Sequence, residues 1–392
     1  MSAAGHRRVT WMELFFDLIF VAAVAEAAKP FAADYSAAGL LRFSFLFTLI
    51  WFAWSGHTLY ATRFDRDDFT QRAMNLVQCF IAAVMAANAK DALDSRSSAG
   101  FSAAYAGIRL VLAIQYLRAR KAEHCRQLAG RFAAGSVLGI TFWISAALSP
   151  APARFVLWGI ALAIDLATPL FAERYGRHLP PHAAHFPERF GLFTIILLGE
   201  FVADVMRGIE RHEEWSVPAA STAFMGMAAA FALWWWYFDG AQGAADWHAQ
   251  SPREWKLFHV WQHVHPVCLL GIATAGIGFK HLIALRDGGT LHHGEAMLLC
   301  LSVCAVMLSV IAIGWTRGRV HWEGQIAIFS AAAALTPFAS HLPKTALAGA
   351  LLSACALQTA AASAAAPGAS WAWRPAPGFW RRSRMQGSTD AA

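Results

Sequence analysis

Gly294-Glu-Ala-Met-Leu-Leu-Cys-Leu-Ser-Val-Cys-Ala-Val-Met-Leu-Ser-Val-Ile-Ala-Ile-Gly-Trp315 is the stretch that decides the fold. Beyond Glu295 it carries no charged side chain as far as Trp315. A helix needs about 20 mostly apolar residues to cross a bilayer, and this run supplies them. Similar runs recur along the chain. Twelve candidate spans lie near 11–31, 40–62, 73–93, 100–118, 133–149, 153–173, 188–209, 217–239, 257–282, 294–315, 323–340 and 344–366. Most connections between them are short and polar, and the last span, rich in Ala, Gly and Ser, is the weakest signal.

Composition points the same way. Of 392 residues, 57% are hydrophobic and 15% are charged, with a mean hydropathy of +0.41. Soluble domains carry roughly 25% charged residues. The expected fold is all-α, a polytopic bundle of about twelve transmembrane helices, with the lipid bilayer as its first partner. The formal charge of +7 does not indicate nucleic acid, because the basic residues come in small groups between apolar runs. Cys79, Cys268, Cys300, Cys304 and Cys355 lie in apolar runs and Cys125 in a basic loop, without metal-finger or CxxC spacing. They read as small core residues and a loop thiol.

With the N-terminus inside, about two-thirds of the 32 lysines and arginines fall on the cytoplasmic side. Both termini are therefore expected in the cytoplasm. Ala23-Val24-Ala25 has the form of a signal cleavage site, but Glu13 and Asp17 interrupt the apolar region such a signal needs, so a retained helix is expected. Spans 1 and 7 each begin with a Glu followed closely by Phe and carry a second Glu further on (Glu13 and Glu26; Glu188 and Glu200). Spans 2 and 8 each carry Trp clusters (Trp51, Trp54; Trp234, Trp235, Trp236). The pattern hints at parallel six-helix repeats, a transporter architecture. The expected division is 1–174 and 188–366, a cytoplasmic linker at 175–187 and a flexible basic tail at 367–392.

Ionisable residues inside apolar runs carry the functional signal, since burying a charge there costs at least about 2.5–3.5 kcal/mol. Glu13 and Asp17, four apart, share a helix face and are expected to keep one proton between them. Glu200 and Asp204 repeat the spacing. Arg109 and Asp165 sit near mid-depth and are expected to form a structural ion pair. His259 and His263 have the i, i+4 spacing of metal ligands, and Pro266 just beyond them is expected to kink the span. Two histidines alone are weak candidates, so no cofactor is expected unless a metal joins them to Glu13 or Asp17. Asp17, His57, Glu188, Asp239 and His263 lie at similar depth and are expected to form one polar cluster. Arg189 is unfavourable near a helix N-terminus and calls for a specific partner.

Thr10-Trp11-Met12-Glu13-Leu14-Phe15-Phe16-Asp17-Leu18, with Phe20-Val21, resembles the opening motif of the bacterial low temperature requirement protein A family. His185-Phe186-Pro187-Glu188-Arg189-Phe190-Gly191-Leu192 through Leu198-Gly199-Glu200 resembles its second signature. Arg63-Phe64-Asp65 with Asp67-Asp68, and Trp235-Trp236-Tyr237-Phe238-Asp239, fit the same pattern. The resemblance implies a multi-span protein of the bacterial inner membrane, linked by name to growth in the cold and without a settled activity. It implies shared roles for Glu13, Asp17, Glu188, Arg189, Glu200 and Asp239, but not for Asp204. The family shows His, one residue, then Pro in span 9, whereas here His265 directly precedes Pro266.

Three functions compete on this reading. The first is a proton- or cation-coupled secondary transporter of a small solute or ion, using Glu13, Asp17, Glu188, Arg189, Glu200, Asp239, His263 and His265 as its pathway. The second is an intramembrane metal enzyme built on Glu13, Asp17, His259 and His263. The third is a non-catalytic membrane protein supporting cold adaptation. No serine–histidine, phosphate-loop or nucleotide fingerprint favours an enzyme. Convergence of Asp17, Glu188, Glu200 and His263 on a wet cavity would favour transport. Separate, sealed acids would read as packing devices.

Overall fold

A computed structural model of the chain describes residues 9–64, 68–94, 97–176, 179–211, 216–243, 245, 247, 251–318 and 322–364. The expected tail at 367–392 lies outside them. Twelve α-helices follow one another: α1 (Trp11–Ala33), α2 (Ala37–Arg63), α3 (Phe69–Ala89), α4 (Ser98–Ala119), α5 (Arg126–Leu148), α6 (Ala153–Gly176), α7 (His185–Glu210), α8 (Val217–Trp235), α9 (Pro252–Ala284), α10 (His293–Thr316), α11 (Trp322–Leu335) and α12 (Lys344–Ala364). No strand occurs among the described residues.

Helix starts follow from capping chemistry. Thr10 and Glu13 form a reciprocal capping box at α1, and Ser251 and Glu254 form another at α9, so orphan N–H groups find oxygens before the chain enters apolar surroundings. Ser36, Asp68 and Ser216 cap α2, α3 and α8 with side-chain oxygens.

Eight of the helices are long and apolar enough to cross a membrane: α2, α3, α4, α5, α8 with the π-turn Trp236–Gly240 that ends it, α9, α10 and α12. The chain is thus a multi-pass membrane protein. Phe80, Leu138, Leu301 and Leu308 point outward from α3, α5 and α10, the exposure expected of side chains bathed in lipid rather than water. Among the helices outside that set, α1 bears Glu13, Asp17, Glu26 and Lys29, and α7 bears Glu188, Arg189, Glu200, Asp204 and Arg207. The run at 323–340 is not one continuous α-helix. Its helix stops at Leu335, where Pro337 cannot supply a backbone N–H, and Thr336–His341 continues as a tighter 3-10 turn. Span 12, the weakest signal in the sequence, is the regular 21-residue helix α12. Pro266 does not interrupt α9, which runs helical for 33 residues.

The charged helices take the interior. α1 packs against α2, α3 and α7, while α7 packs against α8, α9 and α1. In the second half of the bundle α9 lies on α10 and α12 on α8, and in the first half α4, α5 and α6 pack in sequence. The α5–α6 approach is close because α5 presents glycine there: a Cβ on Gly135 would stand 2.2 Å from the Thr168 hydroxyl, and one on Gly139 would stand 3.3 Å from an Asp165 carboxylate oxygen. Small residues are what allow membrane helices to approach this closely.

Candidate functional site

The contact of α1 with α7 is an ion cluster. Arg189 donates from Nε and Nη2 to the two Asp17 oxygens at 2.9 and 2.5 Å, a bidentate clamp. Trp54 of α2 adds its indole N–H to the same carboxylate at 2.6 Å. Arg189 Nη1 stands 3.4 Å from Glu13. The other Glu13 oxygen accepts from the Thr10 backbone N–H at 2.9 Å and lies 3.1 Å from His185 Nε2, which must be the donor to a carboxylate. Asp17, His185 and Arg189 are each 0% exposed, so bulk solvent does not reach them. His57 stacks on Phe16 beside them, ring centroids 4.0 Å apart.

Around this cluster the bundle is aromatic. Trp51, Trp54 and Phe190 pack together, and Phe190 reaches Trp261 and His265 of α9. His265 gives its Nδ1 proton to the Trp261 carbonyl at 2.6 Å, which leaves Nε2 to accept from the Tyr237 hydroxyl at 2.9 Å. Just ahead of the second signature the chain is anchored by the His182 N–H, which donates to the Thr62 carbonyl near the end of α2.

The expected single polar cluster does not form. Asp17 and His57 share the α1–α7 site, but the other members point elsewhere. Glu188 accepts from the Val9 backbone on a different side of α7. Asp239 is exposed in the π-turn. Glu200 and Asp204 sit near the opposite end of α7 on Arg207, at 2.7 and 3.0 Å, with Lys280 of α9 at 3.6 Å from Asp204. Nor do Glu13 and Asp17 face only each other, because Arg189 sits against both. Among the described residues no group of three or more His, Cys, Asp or Glu side chains stands close enough to hold a metal. His263 uses Nδ1 to bond its own helix at His259 O, 2.7 Å away.

His263 belongs to a different place. A cavity of about 220 Å³ opens between α2, α4, α5 and α6 on one side and the first turns of α9 on the other. Phe52, Leu59, Leu112, Tyr116, Phe132 and Leu166 give it apolar walls, and His259, Gln262 and His263 line its α9 side. At its inner end Arg109 is ion-paired with Asp165, which also accepts from the Tyr105 hydroxyl at 3.2 Å. Gly56 makes room for that guanidinium: a Cβ there would stand 3.2 Å from Arg109 Nη1. Arg63, the last residue of α2, lies over the Phe132 ring at 5.7 Å, and its buried Nε has no hydrogen-bond partner.

Because the Arg109–Asp165 pair is buried, removing one partner strands the other. Arg109→Gln is expected to lower the yield of folded protein more than Arg109→Gln combined with Asp165→Asn. Fluorescence-detected size exclusion of the detergent extracts measures this, and equal yields would mean that the two charges do not support each other.

Sequence reasoning missed Trp54, His185 and Arg63. Trp54 read as part of a Trp cluster and Arg63 as part of a family motif after span 2. His185 stood in the second signature without a role. The signals toward the cluster were the shared face of Glu13 and Asp17 and Arg189, a cation where a helix terminus disfavours one. The sequence of the bacterial low temperature requirement A protein family model (LtrA) matches residues 8–361. The chain is also 28% identical over 253 residues to an uncharacterized protein, RA0937, of Rhizobium meliloti (strain 1021), a match covering 61% of this chain and 60% of that protein. Both quoted signatures fall inside the family match, and the chain belongs to the bacterial low temperature requirement A protein family.

Proposed function

We propose that this membrane protein is a secondary transporter whose solute occupies the cavity between α2, α4, α5, α6 and α9, rather than the acid cluster of α1 and α7. The observation that carries the reading is the cavity itself: apolar walls, a buried ion pair at its inner end and an arginine at its outer end, set between helices of the two sequence halves. Transporters built from parallel repeats hold substrate at such a boundary. The halves 1–174 and 188–366 are the moving bodies in this reading, in a bacterial cytoplasmic membrane with both termini inside. Twelve crossings then include α1 and α7, whose charges are covered by neighbouring helices.

The Glu13–Asp17–Arg189 cluster is the joint between the halves. Asp17 already accepts from three fixed donors, so it is poorly placed to exchange a proton with a passing solute. Coupling to protons or cations falls instead to groups lining the cavity, Asp165 with Arg109 and the α9 histidines. The sealed cluster taken alone favours a scaffold without transport, and one experiment separates the two readings.

Ser136 of α5 lines the cavity and is 1% exposed. All six native cysteines are buried, so the native chain reports the background. Ser136→Cys is expected to react with a membrane-impermeant methanethiosulfonate from the cytoplasmic face in inverted vesicles and from the outer face in right-side-out vesicles. A transporter cavity opens to each side in turn. Labelling from one face only, or from neither, would overturn transport.

A further inference from the structure

The cavity also specifies the charge of what enters it. Arg109 and Asp165 neutralise each other, whereas Arg63 has no carboxylate partner among the described residues. Its Nε is buried without an acceptor, and no described carboxylate stands against the guanidinium, so a polar group there lacks a partner. Arg63 follows Gly56 by seven residues on α2, about 10 Å along the helix axis, so the two arginines mark opposite ends of the space. Leu59, Leu112, Tyr116 and Phe132 line it as well, with few polar atoms among them.

We infer that the cavity binds a small organic monocarboxylate, its carboxylate on Arg63 and its apolar body lying between Phe132 and Leu112 toward Arg109. One negative charge balances the cavity arginine that no described carboxylate pairs; a dianion would carry an extra charge between mostly apolar walls. The planar fork of Arg63 matches a carboxylate in a way that no neutral amide reproduces. At the inner end the same carboxylate can exchange onto Arg109 only by competing with Asp165, which gives the passage two successive anion sites.

This inference rests on the transporter reading for its purpose, but its test does not. Radiolabelled benzoate is bound to purified full-length protein and followed by scintillation proximity. Saturable binding is expected, displaced by unlabelled benzoate and by hexanoate, and not displaced by benzamide or benzylamine at equal concentration. Arg63→Gln is expected to weaken benzoate binding at least tenfold, with Arg63→Lys between the two. Absence of saturable binding to monodisperse native protein, or displacement by benzamide as strong as by hexanoate, would overturn the inference without relying on any variant. Unchanged affinity in Arg63→Gln would overturn it as well. Two-sided labelling at Ser136→Cys without benzoate binding removes the anion and keeps transport; benzoate binding with one-sided labelling does the reverse.

Discussion

Arg189→Met is expected to remove most of the folded protein from the membrane. The substitution keeps an unbranched apolar stem, shorter than arginine, but leaves Asp17, 0% exposed, with the Trp54 N–H as its remaining hydrogen bond, and Glu13 with Thr10 and His185. Breaking a buried pair from one side costs about 3–5 kcal/mol, because the surviving charge stays desolvated. That is a large fraction of the about 5–15 kcal/mol that holds a typical domain folded. Adding Asp17→Asn to Arg189→Met is expected to recover part of the loss, since the stranded charge is gone and the amide oxygen can still accept from Trp54. Size-exclusion profiles and melting temperatures of the extracted variants test the pair. If the single and double variants are equally poor, the loss comes from packing around residue 189 and not from charge.

The second large effect is steric. Gly135→Ala places a methyl 2.2 Å from the Thr168 hydroxyl and 2.9 Å from its Cβ, so α5 and α6 must separate. Overpacking of this kind costs about 1–3 kcal/mol. The effect reaches the cavity, because Thr168 and Asp165 line it from α6 and Ser136 from α5. A lower melting temperature is expected, with partial recovery when Thr168→Ala removes the hydroxyl and methyl that cause most of the collision. No change in melting temperature would mean that the two helices are not in the contact described.

How far the sequence could be read depends on which coordinate a feature needs. Depth along a helix is counted directly from residue number, and depth alone paired Arg109 with Asp165. Helix type followed from the apolar runs, and the membership of the family from two motifs. Azimuth is different. Whether Asp17 looks at Glu13, at His263 or at Arg189 depends on which helices stand next to α1, and that is set by packing across more than 170 residues of chain. The histidines of α9 show the same limit. His263 and His265 are two residues apart and so point about 200° apart around the axis, one to the cavity and one to Tyr237. Arg63 read only as part of a family motif, and the position of Phe132 on α5 is what shows it half-buried over that ring.

The length of α9 has a mechanical meaning. At 33 residues it is a rod of roughly 50 Å, well beyond the hydrocarbon thickness of about 30 Å. α10 packs on it at Gly271 and α7 at Gly276 and Trp261, while its first turns carry Trp255 and His259 beside the cavity. Pro266 near its centre, which cannot donate to the preceding turn, makes that point a natural hinge of a lever: a tilt of about 10° shifts the end by roughly 4 Å over a half-length of about 25 Å. That travel exceeds the width of a water molecule. Small rearrangements among the helices that hold the fulcrum would therefore be amplified at the rim, opening or closing the space without any loop having to unfold.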